Sequence, residues 1–200
     1  IPILESTVHI VELELYFFEQ AAQFLQRIAQ AGHRLLPIAV NASVALARED
    51  APTQEYSEIL EKHNISARML EIELTETAVV SEYDRMKRLL SSFQSDGMQT
   101  SLDDFGAGGS LLNNMVDIPV NTIKLDKLFL TRCSSNARGT DFLREIVHLV
   151  NRLGYNVICE GIETEEQVQL LRSLDCDGAQ GFWFSKAIPA EEVERRYLCS

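Results

Sequence analysis

Short apolar runs alternate with longer amphipathic segments along almost the whole chain, and this alternation limits the possible folds more than any other feature. Strands are expected at 36–40, 69–74, 98–102, 122–125, 157–159 and 179–182. Helices are expected at 11–31, 52–63, 82–95, 110–116, 140–153, 164–174 and 190–197. In the first helix, Leu15, Phe18, Ala22, Leu25 and Ile28 recur at helical spacing. In the second, Tyr56, Ile59 and Leu60 face inward; at 140–153, Phe142, Ile146, Val150 and Leu153 share one face. Thr164 followed by Glu165-Glu166 is a helix start signal, and Gly32, Gly97 and Gly154 act as stops.

Six strand–helix units in succession imply a parallel sheet, because parallel neighbours need a crossover and a helix supplies it. The periodicity fits an open doubly wound sheet and a closed (β/α) barrel equally. A closed barrel wants eight strands and roughly 250 residues. The 200 residues here fall about two units short. No Pro-, Gly- or Ser-rich linker divides them, so residues 1–200 are expected to form a single domain. The opening Ile1-Pro2-Ile3-Leu4, without an initiator Met, reads as part of something longer.

The polar residues fall in phase with the strands. Asn41 ends the first; Glu73 and Glu76 close the second; Asp103 and Asp104 the third; Lys124 and Asp126 the fourth; Glu160 and Glu163 the fifth; Gln180 lies on the sixth. Each alone is ordinary, since an Asn after a strand is most often a cap and a lone Glu is most often solvated. Together, at the same end of six strands, they mark the place where parallel α/β folds carry chemistry. Four acidic oxygen donors plus the Asn41 amide, with no Cys or His among them, describe a site for a hard cation such as Mg²⁺ or Mn²⁺. The doublet Asp103-Asp104 suits a two-metal centre acting on phosphorus, with Lys124 orienting water or offsetting charge. His9, His33, His63 and His148 stand away from the strand ends and are given no catalytic role. The glycine-rich run Asp104-Phe105-Gly106-Ala107-Gly108-Gly109-Ser110 does not match a phosphate-binding loop and reads as a support for the aspartates.

Eighteen basic against thirty acidic residues give a formal charge of −12. A long nucleic acid needs basic stripes, so that partner is excluded, whereas a small phosphate ligand held through a cation is not. Cys133, Cys159, Cys176 and Cys199 lack metal-ligand spacing and are too few for a disulfide framework, which points to a reducing, cytoplasmic setting. No apolar run of about 18 residues is present, although a longer parent protein could be membrane-anchored.

Six segments resemble, in order, the EAL family of cyclic di-GMP phosphodiesterases. They are Val40-Asn41-Ala42-Ser43, Glu71-Ile72-Glu73-Leu74-Thr75-Glu76, Leu102-Asp103-Asp104-Phe105-Gly106-Ala107-Gly108, Ile123-Lys124-Leu125-Asp126, Glu160-Gly161-Ile162-Glu163 and Gln180-Gly181-Phe182 followed by Pro189. The resemblance runs from residue 1 to about 192. It implies a TIM-like (β/α) barrel of the EAL type that lacks about its first two strands. It implies a two-metal site using Mg²⁺ or Mn²⁺, with Asn41, Glu73 and Asp103 on one ion and Asp103, Asp104 and Glu160 on the other. Lys124 then resembles the lysine that positions the hydrolytic water, and Lys124, Glu160 and Asp103 form the catalytic group. Glu76 resembles the residue that steadies the loop after Asp104, while Asp126, Glu163 and Gln180 support the site or the substrate.

The implied reaction is hydrolysis of cyclic di-GMP to the linear dinucleotide in bacterial signalling. The implied partners are cyclic di-GMP, a second copy of the chain, and an upstream GGDEF or sensory domain. Two departures qualify the match. The family's Glu-Ala-Leu strand, which carries a metal ligand and a nearby phosphate-binding Arg, is absent from the chain, so weak or no turnover is expected of these residues alone. Gly109 stands where the family usually has an aromatic residue, and Ala107 where it often has Thr. These departures motivate a rival reading, an impaired EAL module that senses cyclic di-GMP or a protein. A third reading is another metal-dependent barrel acting on a different phosphodiester or an enolisable acid.

Overall fold

The structure, a computed structural model, describes residues 10–48, 53–107 and 114–198. Six strands form one sheet, whose order is the order of the chain. They are β1 (Ile38–Asn41), β2 (Leu70–Thr75), β3 (Gln99–Phe105), β4 (Thr122–Leu125), β5 (Asn156–Cys159) and β6 (Gly178–Ala179). The helices are α1 (Ile10–Gln30), α2 (Thr53–His63), α3 (Glu76–Ser81), α4 (Tyr83–Ser95), α5 (Lys127–Cys133), α6 (Ala137–Arg152), α7 (Glu165–Ser173) and α8 (Ala190–Val193). The recorded strand pairs are parallel, as the alternation predicts. Among the described residues, no helix is long and apolar enough to cross a membrane.

The chain divides into two compact units. The first comprises residues up to Leu74, Ser81–Thr100 and residues from Ile188. There α1 buries Val11, Glu14, Phe18, Ala22, Leu25 and Ile28, a stripe close to the expected one, with Glu14 buried and Leu15 only half-buried. Phe18, Tyr56 and Phe93 come from three helices and stack edge to face, with ring centroids 4.6 and 5.1 Å apart. All three rings are essentially fully buried. Such pairs add to the burial of area because ring edges and faces carry opposite partial charge. β1 and β2 pair in register from Ile38↔Leu70 to Asn41↔Glu73.

The second unit comprises Thr75–Val80 and Ser101–Ala187. Every residue of β4 is buried, as expected for a parallel strand covered on both faces. α6 buries Leu143, Ile146, Val147 and Val150. Ile146 and Val150 are buried as expected, but Phe142 and Leu153 are 52% and 39% exposed, and Leu143 and Val147 are buried in their place. The Phe142 ring instead lies 6.1 Å from that of Phe129 on α5. α5 itself goes unread in the sequence, because seven residues give barely two turns of periodicity.

Other boundaries also differ. The helix expected at 82–95 is preceded by the separate α3, with Glu82 between them outside helical geometry. β3 continues through both aspartates to Phe105. β6 is only two residues long, because Ile162 N–H donates to Gln180 O and Trp183 N–H to Ile162 O, which turns the chain away. A Cβ at Gly181 would collide with the Ile162 backbone, so this turn requires glycine. Most of the short helix expected at 110–116, and Gly109, lie outside the described residues.

Replacing Phe93 by Ala removes the ring that closes the Phe18–Tyr56–Phe93 stack and is expected to cost about 3–5 kcal/mol. Urea unfolding of the two proteins, compared at constant m-value, measures it.

Candidate functional site

The site begins with an irregularity in β3. Leu102 pairs with Ile123 and Phe105 with Leu125, so three steps along β3 match two along β4. One extra residue is therefore accommodated between them, which is a β-bulge. Asp104 takes the strain, with φ of 58°, a left-handed value that Asp tolerates better than most side chains. The Asp104 N–H donates to Asp103 Oδ1 at 2.9 Å. In a regular strand, adjacent side chains point to opposite faces. At the bulge they do not: carboxylate oxygens of Asp103, Asp104 and Glu160 all lie within 4.8 Å of one another.

β4 and β5 supply the rest. Glu160 follows β5, and its N–H donates to Leu125 O at 2.9 Å, extending the ladder beyond the strand. Its side chain lies 3.4 Å from Nζ of Lys124, which is 4% exposed. A lysine this buried needs a partner, since desolvation disfavours the ammonium. Burial pushes the Asp104 carboxyl above its ordinary range, helped by Asp103 and Asp126 and opposed by Lys124. Three carboxylates crowded together are electrostatically costly without a cation. Their hard oxygen donors fit a divalent ion.

Glu76, at the start of α3 and 3% exposed, accepts a hydrogen bond from Gly106 N–H at 3.0 Å. That contact anchors the chain just after Asp104. A side chain at Gly106, whose φ is +92°, would meet the Phe129 ring. Asp126 caps α5 by accepting from Leu128 N–H at 2.8 Å. Glu163 pairs with Lys127 at 2.6 Å, with both side chains half-exposed, so the pair contributes little to stability. Gln180 is exposed; its N–H donates to Cys159 O at 2.9 Å. Thr164 and Gln167 form a capping box that fixes the start of α7 immediately after Glu163. In the first unit, Asn41 and Glu73 are register partners at the ends of β1 and β2; Asn41 is exposed and Glu73 is 6% exposed. The sequence reading missed Lys127 and the capping role of Asp126, because both depend on the unrecognised α5.

The EAL domain family model matches residues 1–187. The cyclic di-GMP phosphodiesterase NbdA of Pseudomonas aeruginosa is 29% identical over 194 residues, 97% of this chain and 25% of its own. The chain spans about a quarter of the length of the curated relatives it matches. Among solved structures, the PaMucR phosphodiesterase in complex with cyclic di-GMP superposes with a TM-score of 0.87 at 28% identity, covering 96% of this chain and 78% of that one. The Klebsiella pneumoniae BlrP1 complex with manganese and cyclic di-GMP gives a TM-score of 0.77 at 26% identity, covering 89% and 44%. The likeness shows the fold to be the partial TIM-like barrel of EAL structures.

Glu76→Ala leaves Gly106 N–H without its acceptor. Its amide exchange is expected to accelerate at least about tenfold, read by hydrogen exchange. Because Asp104 is held above its usual range in the folded chain, the metal-free protein should lose stability as pH rises through that range, from about pH 4 upward. Asp104→Asn should flatten that dependence, as seen in melting profiles of the two proteins across pH.

Proposed function

The chain belongs to the EAL domain family, and we propose that it forms part of a metal-dependent phosphodiesterase that hydrolyses cyclic di-GMP to the linear dinucleotide. One observation carries this reading: a buried lysine, Lys124, sits 3.4 Å from a glutamate that clusters with Asp103 and Asp104. The cyclic di-GMP complexes and phosphodiesterase names among the relatives support it.

Asp103, Asp104 and Glu160 are the residues that would hold one divalent cation, Mg²⁺ or Mn²⁺. By the same resemblance, the register partners Asn41 and Glu73 serve a second. Bound cations of this kind activate water at neutral pH and neutralise charge on the phosphoryl oxygens.

The chain's own residues do the positioning. Lys124 is held in place by Glu160 and by the buried β4, so its ammonium meets the reaction with little reorganisation. It can donate hydrogen bonds to the attacking water and offset negative charge at phosphorus. Glu76 fixes the backbone after Asp104 through Gly106, and Asp126, Glu163 and Gln180 support the surrounding strand ends. Residues 1–200 serve as a single functional domain in this scheme.

The decisive experiment assays cyclic di-GMP hydrolysis by this chain and by one extended upstream by about two strand–helix units. Linear dinucleotide, formed with Mn²⁺ or Mg²⁺ and abolished by a chelator, is expected from the longer chain. Nucleotide binding without hydrolysis would instead favour the sensor reading. Lys124→Ala should lower turnover in the longer chain by at least about 10²-fold. Mn²⁺ at a hundred times its Kd should stabilise the folded chain by about 2.7 kcal/mol. Asp104→Asn should remove most of that gain, read as a shift in the melting temperature with and without the ion.

A further inference from the structure

We propose that Cys159 and Cys176 are an oxidisable dithiol that a peroxide converts into a reversible disulfide across the end of β5. Their sulfurs lie 3.5 Å apart although the residues are 17 positions apart in the chain. A disulfide bond is about 2.05 Å long, so the sulfurs need to approach by only ~1.5 Å. Cys159 is the last residue of β5 and is fully buried. Cys176 lies in the connection between α7 and β6 and is half-buried, so an oxidant reaches it first.

The surroundings hold the two thiols together. Asp177, next to Cys176, accepts a hydrogen bond from Val157 N–H at 2.8 Å, which fastens the connection alongside β5. The Cys176 sulfur also lies 3.3 Å from the carbonyl oxygens of Val157 and Gly178. The connection has no regular structure between Ser173 and Gly178, so it can take up the approach without breaking a strand ladder.

The step balances with one peroxide. The Cys176 sulfur attacks the O–O bond, forming a sulfenic acid and releasing one water. The Cys159 sulfur then attacks the sulfenic sulfur, gives up its proton and displaces the second water. Two electrons pass from the thiols to the peroxide, which is fully reduced. Cys159 immediately precedes Glu160 in the chain, so the bridge would join β5 one residue before a member of the carboxylate cluster. The cross-link itself does not depend on the phosphodiesterase reading.

The test uses the whole chain and hydrogen peroxide. After treatment, free thiols are alkylated under denaturing, non-reducing conditions and the digest is mapped by mass spectrometry. The expected product is a peptide pair joining Cys159 to Cys176, lighter by two hydrogens and separated by dithiothreitol, with Cys133 still alkylated. In Cys159→Ala, where the resolving sulfur is gone, Cys176 should instead stop at a sulfenic acid trapped by dimedone. Full alkylation of both residues after peroxide overturns the proposal. So does a bridge from Cys176 to Cys133 or Cys199, or accumulation of sulfinic acid on Cys176 in the unsubstituted chain.

Discussion

Lys124 sits in a strand whose four residues are all buried, and its ammonium lies 3.4 Å from the Glu160 carboxylate. An ammonium removed from water costs several kcal/mol, and a paired carboxylate offsets much of that only when the geometry holds. The geometry holds because β4 and β5 are in parallel register and the ladder continues one residue past β5 into Glu160. A local choice of residue is thus tied to the pairing of two strands. The same glutamate belongs to the acidic cluster, so the ion pair links the sheet to the chemistry it carries.

The bulge in β3 is the second constraint. Without the extra residue, Asp103 and Asp104 would point to opposite faces, and one carboxylate would be lost to the cluster. With it, the backbone accepts a left-handed Asp104, and Glu76 holds the following Gly106. Strain of this kind persists where surrounding contacts over-determine the backbone, and it is common at functional sites. The crowding of negative charge that results suits a divalent cation. An uncharged occupant would leave the repulsion unrelieved.

Elements with long periodicity and short strands between them were legible, while one short helix was not. α1 buries nearly the stripe that its sequence spacing predicts, and Thr164 starts α7 with a capping box whose signal is local. α5, with seven residues, has too little pattern to register, and the strand expected at 179–182 forms only at Gly178–Ala179. On α6 the expected Ile146 and Val150 are buried, whereas Phe142 and Leu153 are not. Aromatic Phe142 suggested the core, but ring packing against Phe129 at the surface was also open to it.

By itself, the sequence determined the parallel α/β class, the family, and which residue types stand at the strand ends. These follow from periodicity and from motifs that are contiguous in the chain. The family resemblance implied that Asp103, Asp104 and Glu160 share an ion; the tertiary structure decided the contacts by which those residues meet. It brought Asp103, Asp104 and Glu160 within one ion's reach, placed Glu160 beside Lys124, and set Cys159 against Cys176. Contacts between residues so far apart in the chain are fixed by strand register and by one bulge. Neither leaves a local signature that composition or spacing can carry.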